Sequence, residues 1–393
     1  MKRESVIASI ARTPIGSFLG SLSNVPAVKL GAAVIKAAVK RANVKVDDVN
    51  EVIMGNVLSA SIGQAPARQA SIYADLPNSV ECLTINKVCG SGLKAVMLAD
   101  QSIRCGDNDV IVAGGMENMS MVPYYLNGMR KGAKMGNGKA LDGLIHDGLW
   151  DPYSNMHMGN CAEVLSDENN ISREKQDEFA ILSYKRSLKA INEGLFKDEI
   201  ISIEISNRKG NSVIIDNDEE PQRGKLDKIH ELRTAFDGNG TITAANASSI
   251  NDGAAAVVVM EKEKANALGI NPICKIISHV SVAHEPLYFT TAPSKAISKV
   301  LDKSKLSIED IDLFEINEAF SNVALSAIDE LSIPIEKVNV HGGAVSLGHP
   351  IGASGARILV TLISALIQRK QKIGLATLCI GGGEAAALIV EIL

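Results

Sequence analysis

Two stretches of this chain repeat one pattern of apolar and polar positions. Residues 33–56 (AVIKAAVKRANVKVDDVNEVIMGN) and 295–318 (KAISKVLDKSKLSIEDIDLFEINE) each predict an amphipathic helix with a basic last turn. An acidic pair follows in both, Asp47-Asp48 and Glu309-Asp310, and then a short apolar strand. Asp48 to Asp310 and Val52 to Phe314 are both separations of 262 positions. A second pair of segments comes after them. Cys89-Gly-Ser-Gly predicts the start of a helix leading to a strand at 110–113 and to Gly114-Gly-Met-Glu117. Gly352-Ala-Ser-Gly does the same before a strand at 373–378 and Cys379-Ile-Gly-Gly-Gly-Glu384. Repetition on this scale predicts two related α/β halves. The alternation of helix, strand and glycine turn predicts mostly parallel sheets with right-handed crossovers.

Between the halves the pattern is less regular. Residues 127–142 are rich in Met, Gly and Lys, 173–193 predict a helix, and 216–228 are highly charged. This stretch reads as an insertion, of the kind that carries substrate contacts on a rigid scaffold. The apolar run 254–260 then predicts a strand that returns to the first half. The expected division is 1–119 with 247–270 as the first half, 120–246 as an inserted loop domain, and 271–393 as the second half.

Composition sharpens this picture in a few places. At 393 residues the chain is long enough for more than one folding unit and a large core. Aromatics are only 4%, so that core must come from Ala, Val, Ile and Leu, which suits strands buried under helices. A formal net charge of -5 argues against a nucleic-acid partner, whose binding needs a basic surface. The six cysteines contain no Cys-x-x-Cys pair, so no zinc knuckle or redox pair is indicated and no metal is expected. The chain opens on a short strand-like run rather than a leader, and no stretch reads as the ~18 apolar residues of a membrane span. The expectation is a cytoplasmic protein with reduced thiols and no membrane partner.

Four places could carry chemistry. Cys89 stands between an extended run and a helix, with Gly90 and Gly92 permitting a tight turn. The helix N-terminus would there favour a thiolate, the reactive form of the nucleophile. A cysteine is also a small hydrophobe at home in a core, and that reading stays open. The glycine-rich run His341–Arg357 places His349 in a loop, where it could take a proton from a thiol or simply bond a carbonyl. The run lacks the lysine of a phosphate-binding loop. Cys379 ends a strand just before three glycines, at the strand tip where open α/β folds place their sites. Asn317, after another strand, could hold a water or cap a helix.

Taken together, these segments resemble the thiolase family over nearly the whole chain. The motifs are Asn86-Lys-Val-Cys89-Gly-Ser-Gly, Asn246-Ala-Ser248, Asn251-Asp-Gly, Asn317-Glu-Ala-Phe320, Gly348-His349-Pro-Ile-Gly-Ala-Ser-Gly355 and Cys379-Ile-Gly-Gly-Gly383, in the family's order. The resemblance implies the thiolase fold, a five-layered αβαβα arrangement of two similar halves with a loop domain inserted, assembled as a homotetramer. It implies that Cys89 accepts the acyl group, that His349 activates it, and that Cys379 is a second acid/base. Asn317 would hold a water that, with His349, stabilises the thioester oxygen. The N–H groups of Cys89 and Gly381 would form a second oxyanion hole.

The segment Asn155-Met-His-Met-Gly159 is similar to the biosynthetic branch that handles acetoacetyl-CoA. By that resemblance His157 and Met158 line the acyl and pantetheine pocket together with Ala319 and Phe320. Ser248 bonds the pantetheine, Leu149 and Phe236 pack on CoA, and Arg223 contacts it. Ser249 departs from the family, which often has glycine there. The expected activity is acetyl-CoA C-acetyltransferase, with acetyl-CoA, acetoacetyl-CoA and CoA as partners and no cofactor beyond the CoA thioesters. The nearest alternative is a degradative 3-ketoacyl-CoA thiolase of broad chain length. A condensing enzyme of the ketoacyl synthase type is disfavoured by Cys379, which stands where that group has a second histidine. A non-catalytic acyl-CoA or lipid carrier could do without the three reactive residues. An NAD-dependent oxidoreductase is disfavoured because Gly114-Gly-Met-Glu117 is not Gly-x-Gly-x-x-Gly.

Overall fold

The computed structural model describes residues 3–206 and 212–393. Met1, Lys2 and residues 207–211 of the inserted stretch lie outside it. The first half contains strand β1 (Ser5–Arg12), helix α1 (Ala27–Arg41), β2 (Glu51–Gly55), α2 (Pro66–Tyr73), β3 (Glu81–Ile85), α3 (Ser91–Cys105) and β4 (Val110–Asn118). The inserted stretch carries α4 (Met158–Glu168) and α5 (Arg173–Asn192) among short hairpins and turns. Strand β5 (Asn251–Glu261) follows. The second half contains β6 (Cys274–Ala283), α6 (Ala292–Ser304), β7 (Leu313–Ile316), α7 (Ser321–Leu331), α8 (Ile351–Arg369), β8 (Ile373–Ile380) and β9 (Glu384–Ile392).

The strands run β7-β8-β9-β6-β1-β5-β4-β2-β3. The two halves of this order are copies. In the first half, β2 pairs in parallel with β3 and β4, β4 pairs antiparallel with β5, and β5 with β1. In the second, β7 pairs in parallel with β8, β8 antiparallel with β9, and β9 with β6. The copy of β3 is reduced to a parallel bridge between Phe314 and Val338, and a two-residue strand, Gly16–Ser17, adds to β5 in the first half. The halves meet where β1 and β6 share two residue pairs, Val6 with Lys275 and Ile7 with Cys274.

These pairings correct the expectation of mostly parallel sheets. The sheet is mixed, and its longest ladders are antiparallel. The apolar runs that suggest parallel strands arise because both faces of each half-sheet are covered. On β5, Val258 and Met260 face the outer helices α1 and α2, while Val257 and Val259 face α3 and α8. On β8 and β9, Leu375 and Ile389 pack toward α6 and α7, while Leu378 and Leu388 face the central helices. The layers are therefore helix, sheet, helix, sheet, helix. An alternation in direction of side chains does not appear as an alternation in polarity when neither face meets water.

The central layer is tight because glycines let its helices touch. A Cβ on Gly92 of α3 would lie 2.7 Å from the backbone N of Ala356 on α8, and one on Gly355 would lie 2.4 Å from the backbone N of Leu93. Helix α8 also overturns a sequence expectation. It is long and apolar enough to cross a membrane by length and composition. Its apolar surface is consumed in the protein core, where nearly all its residues are buried.

Candidate active site

Both central helices begin at the same end of the molecule, and their N-terminal turns carry the reactive residues. Cys89 lies between β3 and α3. The turn before it is held by side chains: Asn86 Oδ1 accepts from Val88 N at 2.9 Å, Ser91 Oγ accepts from Lys87 N at 2.9 Å, and the same hydroxyl donates to Val88 O at 2.6 Å. The left-handed residue in this turn is Val88, at φ 45°, a conformation β-branched residues rarely adopt. Gly90 is in the ordinary helical region. It is glycine for space, since a Cβ there would stand 2.3 Å from Cδ1 of Ile380. Gly90 and Gly92 thus admit neighbours rather than supply an unusual backbone angle, which corrects the reading from sequence.

His349 follows Gly348, whose φ is 105°. Its backbone N–H donates to Asn251 Oδ1 at 2.8 Å, and Asn251 Nδ2 donates to Gly16 O at 3.0 Å. On the ring, Nδ1 is 2.6 Å from Ser354 Oγ, and Nε2 is 3.5 Å from Asn317 Nδ2. Asn317 is buried beyond the end of β7 and its Oδ1 has no partner. It caps no helix, since α7 starts at Ser321 with Phe320 at the cap position. Cys379 is fully buried next to the last residue of β8.

Cys89, His349 and Cys379 meet at one cavity of about 230 Å³, and Asn317 stands beside His349 without lining that cavity. Cys89, His349, Cys379 and Gly381 line it together with His157, Met158, Phe236, Ser248, Leu149, Ala319 and Phe320. No Asp, Glu, Lys or Arg is among the lining residues. His157 stacks on Phe236 with ring centres 4.8 Å apart, and its Nδ1 accepts from Gly159 N at 3.0 Å to cap α4. Ser248 donates through both its backbone N–H and its hydroxyl to Ala319 O, so two of the sequence motifs are joined directly.

The electrostatics of a buried cavity without charged lining differ from the expectation of a stabilised thiolate. Burial pushes the Cys89 thiol up to about 11, although the backbone N–H groups of Gly381 and of Cys89 itself act in the opposite direction. Burial, assisted by the Arg357 guanidinium, pulls His349 down to about 3. Burial also raises Cys379 well above the usual thiol range, and Cys89 adds to the shift. The helix N-terminus is outweighed by loss of solvent, so the resting pair is a neutral thiol and a neutral imidazole. Behind the cavity, Glu117 accepts from the backbone N–H groups of Val57, Leu58 and Gly352 and from Asn56 Nδ2. It ties the start of α8 to the first half.

Residues 5–263 match the thiolase N-terminal domain and residues 270–392 the thiolase C-terminal domain. The chain belongs to the thiolase family. This thiolase is 52% identical to acetyl-CoA acetyltransferase 2 of Arabidopsis thaliana, an alignment covering 100% of this chain and 98% of the relative. It is 51% identical to the acetyl-CoA acetyltransferase of Cupriavidus necator, over 98% of each chain. The Acat5 thiolase of Ascaris suum in complex with coenzyme A superposes with a TM-score of 0.94 at 43% identity, covering 99% of this chain and 100% of that one. The acetyl-CoA acetyltransferase of Bacillus anthracis does so with a TM-score of 0.97 at 41% identity, covering 100% and 99%.

Two residues expected at the thiolase site do not line the cavity: Asn317, which stands beside His349, and Arg223, which lies away from it. Arg223 sits in the turn Pro221–Arg223, more than half exposed, with Glu219 at 3.5 Å. Several cavity residues carry no signal in the sequence. Phe289 comes from the turn Pro286–Thr291 and packs on Phe320 with ring centres 6.5 Å apart. Met119 and Gly148 arrive from irregular segments. Ser354 and Asn251 lie within recognisable motifs, but their bonds to His349 appear only in three dimensions. Among the described residues no cluster of His, Cys, Asp and Glu is arranged to hold a metal ion.

Proposed function

We propose that this thiolase is an acetyl-CoA C-acetyltransferase that condenses two acetyl-CoA into acetoacetyl-CoA and CoA, reversibly, through an acetyl group on Cys89. The observation that carries the reading is the convergence of Cys89, His349, Cys379 and Gly381 on one uncharged cavity. The names of its relatives agree with it.

In the first step, His349 Nε2 takes the Cys89 proton as Sγ attacks the thioester carbonyl, and the tetrahedral adduct expels the CoA sulfur. The Cys379 thiol protonates that sulfur and is left as a thiolate. In the second step, the Cys379 thiolate takes a proton from the methyl of a second acetyl-CoA. The resulting enolate carbon attacks the acetyl–Cys89 carbonyl. As the new bond forms, Cys89 leaves and recovers its proton from His349. Protons balance over the cycle, and no cofactor beyond CoA thioesters is required. A neutral thiol–imidazole pair suits this order, because charge develops only once an acyl group fills the cavity. The N–H groups of Cys89 and Gly381, which favour negative charge on the Cys89 sulfur, would receive the oxyanion that forms one bond away. Asn317 Oδ1, unpartnered beside His349, can accept from a water that donates to the thioester oxygen.

Phe289, Phe320, Phe236 and Met158 crowd the apolar end of the cavity and favour a short acyl group over the broad-chain alternative. Ser248 retains acceptor capacity for a pantetheine amide. As parts of the same proposal, the protein is a homotetramer of the cytoplasm. Assembly would cover exposed apolar residues of the inserted stretch such as Tyr124, Leu126 and Met135. The six free cysteines suit a reducing compartment.

Intact-mass measurement after mixing with acetyl-CoA, followed by peptide mapping, tests the function. An acetyl group on Cys89 is expected. A folded, reduced protein that gains no acetyl group would instead support the acyl-CoA carrier.

A further inference from the structure

The imidazole of His349 has a polar neighbour at each ring nitrogen. Ser354 occupies the first turn of α8, and its Oγ is 2.9 Å from Pro350 O, four residues back. A carbonyl can only accept, so a Ser354–Pro350 bond takes the single hydroxyl proton of Ser354; the same carbonyl also accepts from the backbone N–H groups of Ala353 and Ser354. The same oxygen lies 2.6 Å from His349 Nδ1. With its proton on Pro350 O, the hydroxyl accepts there and Nδ1 is the donor; turned toward Nδ1 it would donate instead, so the tautomer follows from the Pro350 bond. The other nitrogen, Nε2, faces Asn317 Nδ2, a donor, at 3.5 Å. With the Asn317 amide in this orientation, a hydrogen on Nε2 would set donor against donor, so Asn317 favours the same tautomer as the Ser354–Pro350 bond. His349 and Ser354 are both buried, and solvent does not compete for these bonds.

We propose that Ser354 is a positioning residue of this active site: by accepting from Nδ1–H and donating to the Pro350 carbonyl, it keeps the lone pair of His349 on Nε2, the atom that takes the Cys89 proton. Its role rests on the catalytic reading of Cys89 and His349 given above. Once Nε2 has gained the proton, the ring is a cation with Nδ1 still donating to Ser354. The hydroxyl therefore supports the charged form without passing a proton of its own. Asn251 acts at the other end of the same residue, bonding the His349 backbone N–H, and receives a bond from Ser249 Oγ at 2.9 Å. Backbone and ring are thus fixed separately, the ring by Ser354 at Nδ1 with Asn317 facing Nε2.

The test combines a tautomer measurement with single-turnover kinetics. Magic-angle-spinning NMR of the protein labelled with 15N-histidine, with His349→Asn to assign the signal, is expected to show the proton on Nδ1 in the wild type. Ser354→Ala is expected to lose that single tautomer while keeping its melting temperature, because a serine bond to a carbonyl one turn back adds little to a helix. Acetylation of Cys89 in that variant should slow on the order of 10- to 100-fold, the usual cost of losing a group that orients a histidine. The KM for acetyl-CoA should stay unchanged, and Ser354→Thr should restore much of the rate. A wild-type signal with the proton on Nε2, or acetylation of Ser354→Ala at the wild-type rate, would overturn the proposal. If the wild type itself takes no acetyl group, the catalytic reading fails, and the NMR result still reports whether Ser354 sets the tautomer.

Discussion

Gly115 of β4 lies against the carbonyl oxygen of Gly352, so close that a Cβ on Gly115 would stand 2.1 Å from it. This contact joins the two halves three residues beyond His349. Nothing flexible is present to give way, because the opposing atoms are backbone. Gly115→Ala must therefore displace the start of α8 or the end of β4. The expected cost is about 3 kcal/mol or more, at the upper end of single-residue effects. Chemical denaturation checks it, and wild-type stability in the variant would show that the halves are not locked here.

The two cysteines are expected to fail differently. Cys89→Ala should take no acetyl group from acetyl-CoA. Cys379→Ala should acetylate at Cys89 yet form no acetoacetyl-CoA, because nothing removes the methyl proton. Mass spectrometry of the protein with product analysis separates the cases. Normal condensation by Cys379→Ala would remove that residue from the mechanism.

The ionisation of the pair predicts a particular pH profile. With the Cys89 thiol pushed up to about 11, its alkylation by iodoacetamide should climb steadily through pH 7 to 10 without a plateau. With His349 pulled down to about 3, no inflection should appear near the ordinary histidine value. A plateau reached by pH 8 would mean that the thiolate is stabilised after all.

His349 also links stability to acid. Its folded value of about 3 is below its unfolded value of about 6.5, so the unfolded chain binds more protons between them. The contribution is present above the unfolded value and is lost as pH falls toward 3, by at most about 1.4 kcal/mol per unit. His349→Asn should show a shallower loss of stability over that window in urea melts. An equal slope in both proteins would place the proton elsewhere.

Phe289 closes the apolar end of the cavity and is almost fully buried. Phe289→Ala is expected to cost about 3 to 5 kcal/mol and to leave space for a longer acyl chain. The ratio of kcat/KM for longer 3-ketoacyl-CoA substrates to that for acetoacetyl-CoA should rise. An unchanged ratio would assign chain-length selection to Met158, Phe236 or Phe320.

Much of this protein is local information. Cys89, His349, Cys379, Asn317 and Gly381 sit in short contiguous motifs, and a motif survives in sequence because one turn of backbone defines it. The helices and strands at the 262-residue repeat are legible for the same reason: amphipathic spacing and caps act within a few residues. What the chain does with those elements at a distance is decided by packing. Strand direction is invisible in runs such as Ala254–Met260, because burial on both faces erases the alternation that would mark an antiparallel pair. The glycines at 90 and 115 look like turn residues, but they are needed because Ile380 and Gly352 arrive from the other half. Phe289 gives no sign in sequence of lining the same cavity as Cys89. The protonation of Cys89 and His349 depends on how much water the closed fold leaves around them, and that is a property of the whole structure rather than of any segment.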